Sequence, residues 1–124
     1  MSTKLSNAVS IHPYFNIREG NLEAFTALMP DFVEKTSAEP GCLYYDFTMN
    51  GNTAFCREAY IGAEGLLAHI ANVTELLGKF LELSDLARLE VHGPAEEIEK
   101  LRAPLADLKP DFFVRVTGLL NPHG

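Results

Sequence analysis

One histidine in the middle of the chain has the neighbours expected of a buried proton acceptor. His69 shares a helical face with Leu66, Ile70 and Val73, so its ring is predicted to point toward a sheet. A neutral imidazole titrates near working pH and can accept a proton from a phenolic hydroxyl. The alternative is that His69 donates a hydrogen bond to a strand carbonyl and only packs the helix.

A predicted hairpin just before this helix carries a second titratable group. Its strands run from Cys42 to Met49 and from Thr53 to Ile61, and Asn50-Gly51-Asn52 between them is a strong turn signal. We predict a three-residue turn because that register keeps polar and apolar side chains on separate faces. It pairs Tyr44 with Glu58, Asp46 with Cys56, and Cys42 with Tyr60.

The predicted register makes Glu58 a candidate for acid–base work. A carboxyl group in an apolar pocket can have a raised pKa and act as acid or base. It can equally be an inward polar group that a hydrogen bond from Tyr44 satisfies. Tyr60, at the end of the same strand, either presents its hydroxyl to a ligand or fills the core with its ring.

Other catalytic and ligand-binding patterns are missing from the sequence. Cys42 and Cys56 lie about four residues apart along the predicted ladder, too far for a disulfide, and we predict two buried thiols. No His, Asp or Glu cluster has metal-ligand spacing, no Gly-rich loop suits a phosphate, and no nucleophile elbow occurs. His12 and His92 are placed on outer strands, where cross-strand ion pairs are the expected role.

Periodicity predicts the elements that position these groups. A helix with a kink at Pro30 is expected, and Asn72 with Glu75 resembles a capping box that begins a separate helix. The remaining predicted elements are a strand over 8–17, a helix from 22 to about 37, a short helix over 63–71, a second helix from 72 to 81, a strand over 86–92, a helix from 94 to 103, a strand over 112–117 and a loose tail over 121–124.

The order β-α-β-β-α-β followed by α-β is the ferredoxin-like split pattern, so we predict an α+β fold with an antiparallel sheet. The chain is expected to be one domain over 1–124, with its core at about 8–92 and a C-terminal helix–strand extension at about 93–118. Helices on one face leave the other face of the sheet needing cover. We therefore predict a homodimer in which two sheets pack face to face.

Composition narrows the range of partners. The 124 residues carry a net charge of −7, and their few basic residues are scattered, which disfavours nucleic acid and acidic membranes as partners. No apolar run approaches the length that crosses a bilayer, and the first residues do not resemble a secretory signal. We expect a cytoplasmic protein that binds a small apolar or aromatic molecule and a second copy of itself.

Two segments carry a family resemblance: EPGCLYYDF at 39–47 and CREAYIGAEGLLAHI at 56–70. They resemble the antibiotic biosynthesis monooxygenase superfamily of dimeric α+β barrels, and Glu58, Tyr60 and His69 fall on its motif positions. The resemblance covers about residues 9–92. It implies oxidation of aromatic polyketides or quinols by molecular oxygen with no metal, flavin or other cofactor.

Some members of that superfamily cleave haem, and this chain departs from their pattern. It contains no Trp, Tyr60 stands where a Trp often occurs, and Pro13 stands in place of the first-strand Asn. The haem-cleaving members use an Asn, a Trp and a His, and this chain retains only the His, as His69. Haem cleavage is therefore not expected.

The resemblance leads to one hypothesis and two alternatives. The hypothesis is a cofactor-independent monooxygenase whose pocket lies between the sheet and the helices over 63–81. In it His69 is the base, Tyr60 and Tyr44 orient the substrate beside Glu58, and Phe25, Leu66 and Leu77 exclude water. One alternative is a non-catalytic dimeric module for small-molecule binding or stress response, and the other is an isomerase or decarboxylase that uses Glu58 or His69.

Overall fold

In the computed structural model, residues 5–121 are described, and they form a five-stranded sheet with two long helices against one face. The element order confirms the predicted ferredoxin-like α+β fold. Residues 122–124 of the predicted tail lie outside the described part. The elements are β1 (Ala8–Ile17), α1 (Leu22–Thr36), β2 (Cys42–Asn50), β3 (Thr53–Ile61), α2 (Gly62–Leu83), β4 (Ser84–Gly93), α3 (Ala95–Leu101), a 3-10 turn (Ala106–Leu108) and β5 (Asp111–Val114).

The strands lie in the order β2-β3-β1-β4-β5, and the sheet is open at both edges. Strands β1 to β4 pair with one another in the antiparallel sense, whereas β5 runs parallel to β4. The sheet is therefore mixed, and the prediction of a purely antiparallel one is wrong at its last strand. The reason is the connection: α3 crosses over between β4 and β5, and a crossover helix returns the chain in the parallel sense.

The register of the β2–β3 hairpin differs from the predicted one. Asn50 pairs with Thr53, so the loop has two residues, and Gly51 takes a φ of +59°, which suits the first position of such a loop. The partner of Glu58 is thus Tyr45 rather than Tyr44. A bulge between Cys42 and Tyr44 restores the predicted Cys42–Tyr60 pair. The predicted turn was one residue too long, and one residue is enough to exchange the two faces of β2.

Helix α2 is a single helix of 22 residues and not the predicted pair. Its buried positions recur every three or four residues through the predicted break, so one apolar face continues past Asn72. The Asn72 side chain does not begin a helix; it reaches across to the last turn of α1 and to the loop that follows it. The start of α2 is capped from outside, where the Ala63 N–H donates to Glu97 Oε1 at 2.8 Å.

A cluster of aromatic rings packs the two long helices against the sheet. Phe25 of α1 stacks on Phe80 of α2 with their ring centroids 3.9 Å apart, and Phe15 of β1 meets Phe80 at 5.2 Å. Helix α1 continues through Pro30 to Thr36, and both helices pack on this cluster. A second core cluster surrounds Tyr60 at the other end of the sheet. The cavity described in the next section lies between these two core clusters.

Within residues 5–121, no helix covers the opposite face of the sheet. Tyr14 and Phe55 form a cross-strand ring pair there at 4.7 Å, and Tyr44 is half exposed. His12 and His92 also lie on this face with ring centroids 4.8 Å apart. His92 hydrogen-bonds to Glu90 two residues away on the same strand, β4, so this contact is not the cross-strand ion pair that was predicted.

Candidate active site

A narrow cavity lies between the sheet and helix α2, where the sequence predicted a pocket. The cavity has a volume of about 60 Å³, enough for several water molecules, so an aromatic ring enters only when the apolar side chains of the wall move apart. Polar groups line one part of the wall only: Tyr45, Glu58 and His69, with the Cys56 thiol beside them. The rest is apolar and includes Phe32, Phe47, Leu77, Phe80, Leu86 and Leu89.

Glu58 is the buried acid of this site. It lies on the central part of β3 between Ile11 of β1 and Tyr45 of β2, and its side chain is 6% exposed. The Tyr60 hydroxyl donates to Glu58 Oε1 at 2.5 Å, and the Cys56 thiol also hydrogen-bonds to the carboxyl group. Burial raises the pKa of Glu58 from 4.5 to about 7, because desolvation outweighs these two hydrogen bonds. Near neutral pH, Glu58 can therefore both donate and accept a proton.

His69 lies on α2 between two carboxyl groups. Its Nε2 is 3.4 Å from Glu58 Oε1, and its Nδ1 is 2.9 and 3.1 Å from the two oxygens of Glu39. Desolvation lowers the pKa of His69, although the hydrogen bond and charge of Glu39 oppose that shift. The imidazole is thus mostly neutral at neutral pH, and one of its nitrogens faces the acid of the cavity.

Glu39 reaches the cluster from the loop between α1 and β2. Its side chain is 9% exposed, and Asn72 Nδ2 donates to its Oε2 at 2.8 Å. The same Asn72 amide donates to the Lys35 carbonyl at 3.0 Å, which ties the end of α1 to α2. The polar groups therefore form a continuous chain of contacts from Tyr60 through Glu58 and His69 to Glu39.

Tyr45 and Cys56 complete the polar end of the cavity as neutral groups. Burial raises the pKa of both far above neutral, and the two side chains hydrogen-bond to each other. The Tyr45 ring centroid is 5.1 Å from that of His69. Tyr45 thus offers a hydroxyl group, and no charge, to a molecule in the cavity.

The structure brings three of the predicted site residues together. His69 and Glu58 line the cavity, and Leu77 forms part of its apolar wall. Tyr60 contacts both polar groups, with its ring 4.8 Å from the His69 ring, but it is fully buried behind Glu58 and lines no part of the cavity. The predicted hollow shared by Tyr60 and His69 is therefore a contact through Glu58.

Three predicted positions lie elsewhere. Tyr44 is 51% exposed on the opposite face of the sheet, so its predicted contact with Glu58 is wrong, for the reason of register given above. Phe25 and Leu66 are fully buried in the two core clusters and do not reach the cavity. Both are on inward faces, but each is packed against neighbouring side chains rather than against the open space.

Four further residues of the site were not predicted from the sequence: Glu39, Tyr45, Cys56 and Asn72. Glu39 opens the EPG segment, which was used for the family resemblance without a role for its carboxyl group. Tyr45 was one residue out of register. Asn72 resembled a helix cap, and only the fold shows that its amide meets a loop carboxylate.

The chain is similar in sequence and in fold to known proteins. The family model of antibiotic biosynthesis monooxygenase matches residues 8–56. MupZ from Pseudomonas fluorescens is 46% identical in sequence, with 99% of this chain and 96% of that chain covered and a TM-score of 0.91. The chain belongs to the antibiotic biosynthesis monooxygenase family. No curated protein matches it.

Other solved structures share the fold over a shorter part of the chain. Rv0793 from Mycobacterium tuberculosis is 26% identical, with 70% of this chain and 94% of that chain covered and a TM-score of 0.63. A putative antibiotic biosynthesis monooxygenase from Caulobacter crescentus is 17% identical, with 70% and 89% covered and a TM-score of 0.63. The family model ends before Glu58 and His69, so the acid–base groups lie outside the part it matches.

Two further findings apply to residues 5–121. No helix there is long and apolar enough to cross a membrane. No group of three or more His, Cys, Asp or Glu side chains is arranged to hold a metal ion within the same residues.

Proposed function

We propose that this chain is an acid–base enzyme that acts on a small, largely apolar molecule, and that it oxidises a phenolic, quinol or polyketide-like aromatic substrate with molecular oxygen and no cofactor. The observation that carries the proposal is Glu58, a buried carboxyl group with a pKa of about 7 at the polar end of an apolar cavity. Membership of the antibiotic biosynthesis monooxygenase family supports the oxidative form of the reaction.

The proposed chemistry needs little from the protein beyond deprotonation and a dry site. Glu58, in contact with His69, takes the proton of a bound hydroxyl group, and Tyr45 orients the same oxygen by a hydrogen bond. The electron-rich anion that results reduces oxygen directly, and the apolar walls exclude water from it. In the overall reaction of an anthrone, a CH2 group and O2 give a carbonyl group and water.

A second candidate is proton transfer without oxygen, such as an isomerisation or a decarboxylation. The observation that favours it is the state of Glu58 near pH 7, where the group is part carboxylic acid and part carboxylate and so serves as acid and base in turn. The chain also has no Trp, whereas a Trp often occurs at the position of Tyr60 in the superfamily.

Oxygen uptake distinguishes the two candidates. A panel of anthrones, naphthols and hydroquinones is incubated with the wild-type chain, with Glu58→Gln, and with Glu75→Gln, which changes an exposed glutamate of α2 and serves as the matched control. We expect uptake by wild type and control, and a fall of about 10²- to 10⁴-fold in Glu58→Gln, the range that a general acid or base contributes.

Other outcomes select other functions. Deuterium entering a ligand from D2O with no oxygen consumed supports proton transfer alone. Saturable binding of a panel member with neither reaction supports the non-catalytic binding module. Equal uptake by wild type and Glu58→Gln refutes the assignment of Glu58.

We further propose that two copies of the chain pack through the face of the sheet that no helix covers. Tyr14, Phe55 and Tyr44 place three aromatic rings there, and Phe113 of β5 is 41% exposed at the far edge. The face is the same on each copy, as a two-fold interface requires. Sedimentation equilibrium is expected to give twice the monomer mass, with Phe55→Glu shifting the chain to monomer; a monomeric wild type at micromolar concentration excludes this interface.

A further inference from the structure

The Glu39 carboxylate touches His69 on the side of the ring away from the cavity. We propose that Glu39 is a positioning residue: it holds His69 as the tautomer with the proton on Nδ1, and thereby presents the Nε2 lone pair to Glu58. The proposal deepens the acid–base function above and rests on it for its role in catalysis, but the tautomer itself is a property of the resting protein.

The contacts around Glu39 determine the tautomer. Both of its oxygens lie within hydrogen-bond distance of Nδ1, at 2.9 and 3.1 Å. A carboxylate only accepts hydrogen bonds, so Nδ1 carries the hydrogen. Asn72 donates to Oε2 of the same carboxylate, and its second bond, to the Lys35 carbonyl, keeps the amide in place. The carboxylate is therefore held on both sides.

The consequence appears at the other nitrogen. In a neutral ring with the proton on Nδ1, Nε2 is an acceptor, and it lies 3.4 Å from Glu58 Oε1. A protonated Glu58 can share its proton with Nε2, and an ionised Glu58 can take a substrate proton that Nε2 then stabilises. With the opposite tautomer, Nε2–H would donate to Glu58, hold it as the anion, and leave no acceptor on the ring.

The other groups that face this ring are neutral. They are the rings of Tyr45 of β2 and Tyr60 of β3, and burial raises the pKa of each. Glu39 and Glu58 are thus the two carboxyl groups against His69. Burying a second carboxylate beside Glu58 is unfavourable for folding alone, since like charges repel. A positioning role gives that arrangement a function.

Nitrogen-15 NMR measures the tautomer directly in the substrate-free protein. The ring nitrogens of His69 are assigned by their loss in His69→Gln and followed across pH in the wild type, Glu39→Ala, Glu39→Gln and the exposed control Glu34→Gln. We expect one dominant form with Nδ1–H in wild type and control, and loss of that dominance in Glu39→Ala. In Glu39→Gln the amide oxygen still accepts from Nδ1, so the tautomer is kept while the titration midpoint of His69 falls.

Two results overturn the proposal. One is an Nε2–H form dominant in the wild type, and the other is a tautomer and midpoint unchanged in Glu39→Ala. If Glu39→Ala does not fold, Glu39→Gln decides: a lower midpoint supports the proposal and an unchanged one refutes it. Because the NMR experiment uses no substrate, the two proposals fail separately. A protein without turnover refutes the proposed reaction, and a dominant Nδ1–H form that depends on Glu39 still supports the assignment of the tautomer.

Discussion

Glutamine at position 58 is expected to change how stability depends on pH. Burial raises the pKa of Glu58 from 4.5 to about 7, so between these pH values the folded chain keeps a proton that the unfolded chain releases. The stability that this proton provides is fully present below pH 4.5 and is lost as pH rises through 7. Glu58→Gln has no proton to lose and does not show this decline.

The size of the effect follows from the shift. A rise from 4.5 to about 7, at about 1.36 kcal/mol for each pKa unit, corresponds to about 3 kcal/mol in the free energy of unfolding. The group is fully buried, so solvent screening does not reduce this value appreciably. Relative to the wild type, Glu58→Gln is therefore expected to gain about 3 kcal/mol between pH 4.5 and pH 8.

Urea unfolding followed by circular dichroism, repeated at intervals from pH 4.5 to 8, measures the difference between the two proteins. Both proteins contain the same histidines, so the comparison at each pH isolates Glu58 to first order. Glu75→Gln, an exposed position on α2, is the control and should stay parallel to the wild type. A difference between Glu58→Gln and the wild type that is constant across this range refutes the raised pKa and, with it, the acid–base assignment.

Two of the three glycines of α2, Gly65 and Gly78, are expected to respond oppositely to alanine. Gly65→Ala should lower the free energy of unfolding by about 1–3 kcal/mol, because the new Cβ would lie 3.1 Å from Tyr60 Cβ. Gly78→Ala should raise it by up to about 1 kcal/mol, because nothing lies within 4 Å of the new Cβ. Thermal unfolding of both variants measures the difference, and equal effects would contradict the packing around Gly65. Thiol labelling at pH 8 should be slow at Cys42, whose pKa burial raises to about 11, and slower still at buried Cys56; faster modification of Cys56 would show that the cavity opens.

Local patterns account for most of the fold. The alternation in β1 and the apolar stripes of α1 and α2 predicted the correct element types, because those periods follow directly from backbone geometry. The family motif also singled out Glu58, Tyr60 and His69, and the fold brings these three side chains into contact. Three predictions were wrong: the length of the β2–β3 turn, the helix boundary at Asn72 and the direction of the last strand, β5.

The sequence alone determined which chemistry is available: a histidine and a carboxyl group on inward faces of adjacent elements, among apolar neighbours. Only the tertiary structure decided which side chains meet. A two-residue turn and a bulge in β2 placed Tyr45 inward and Tyr44 outward, and the approach of the α1–β2 loop to α2 brought Glu39 against His69. The contact between Glu39 and His69 joins residues 30 positions apart, and its geometry depends on how whole elements pack, which no local pattern encodes.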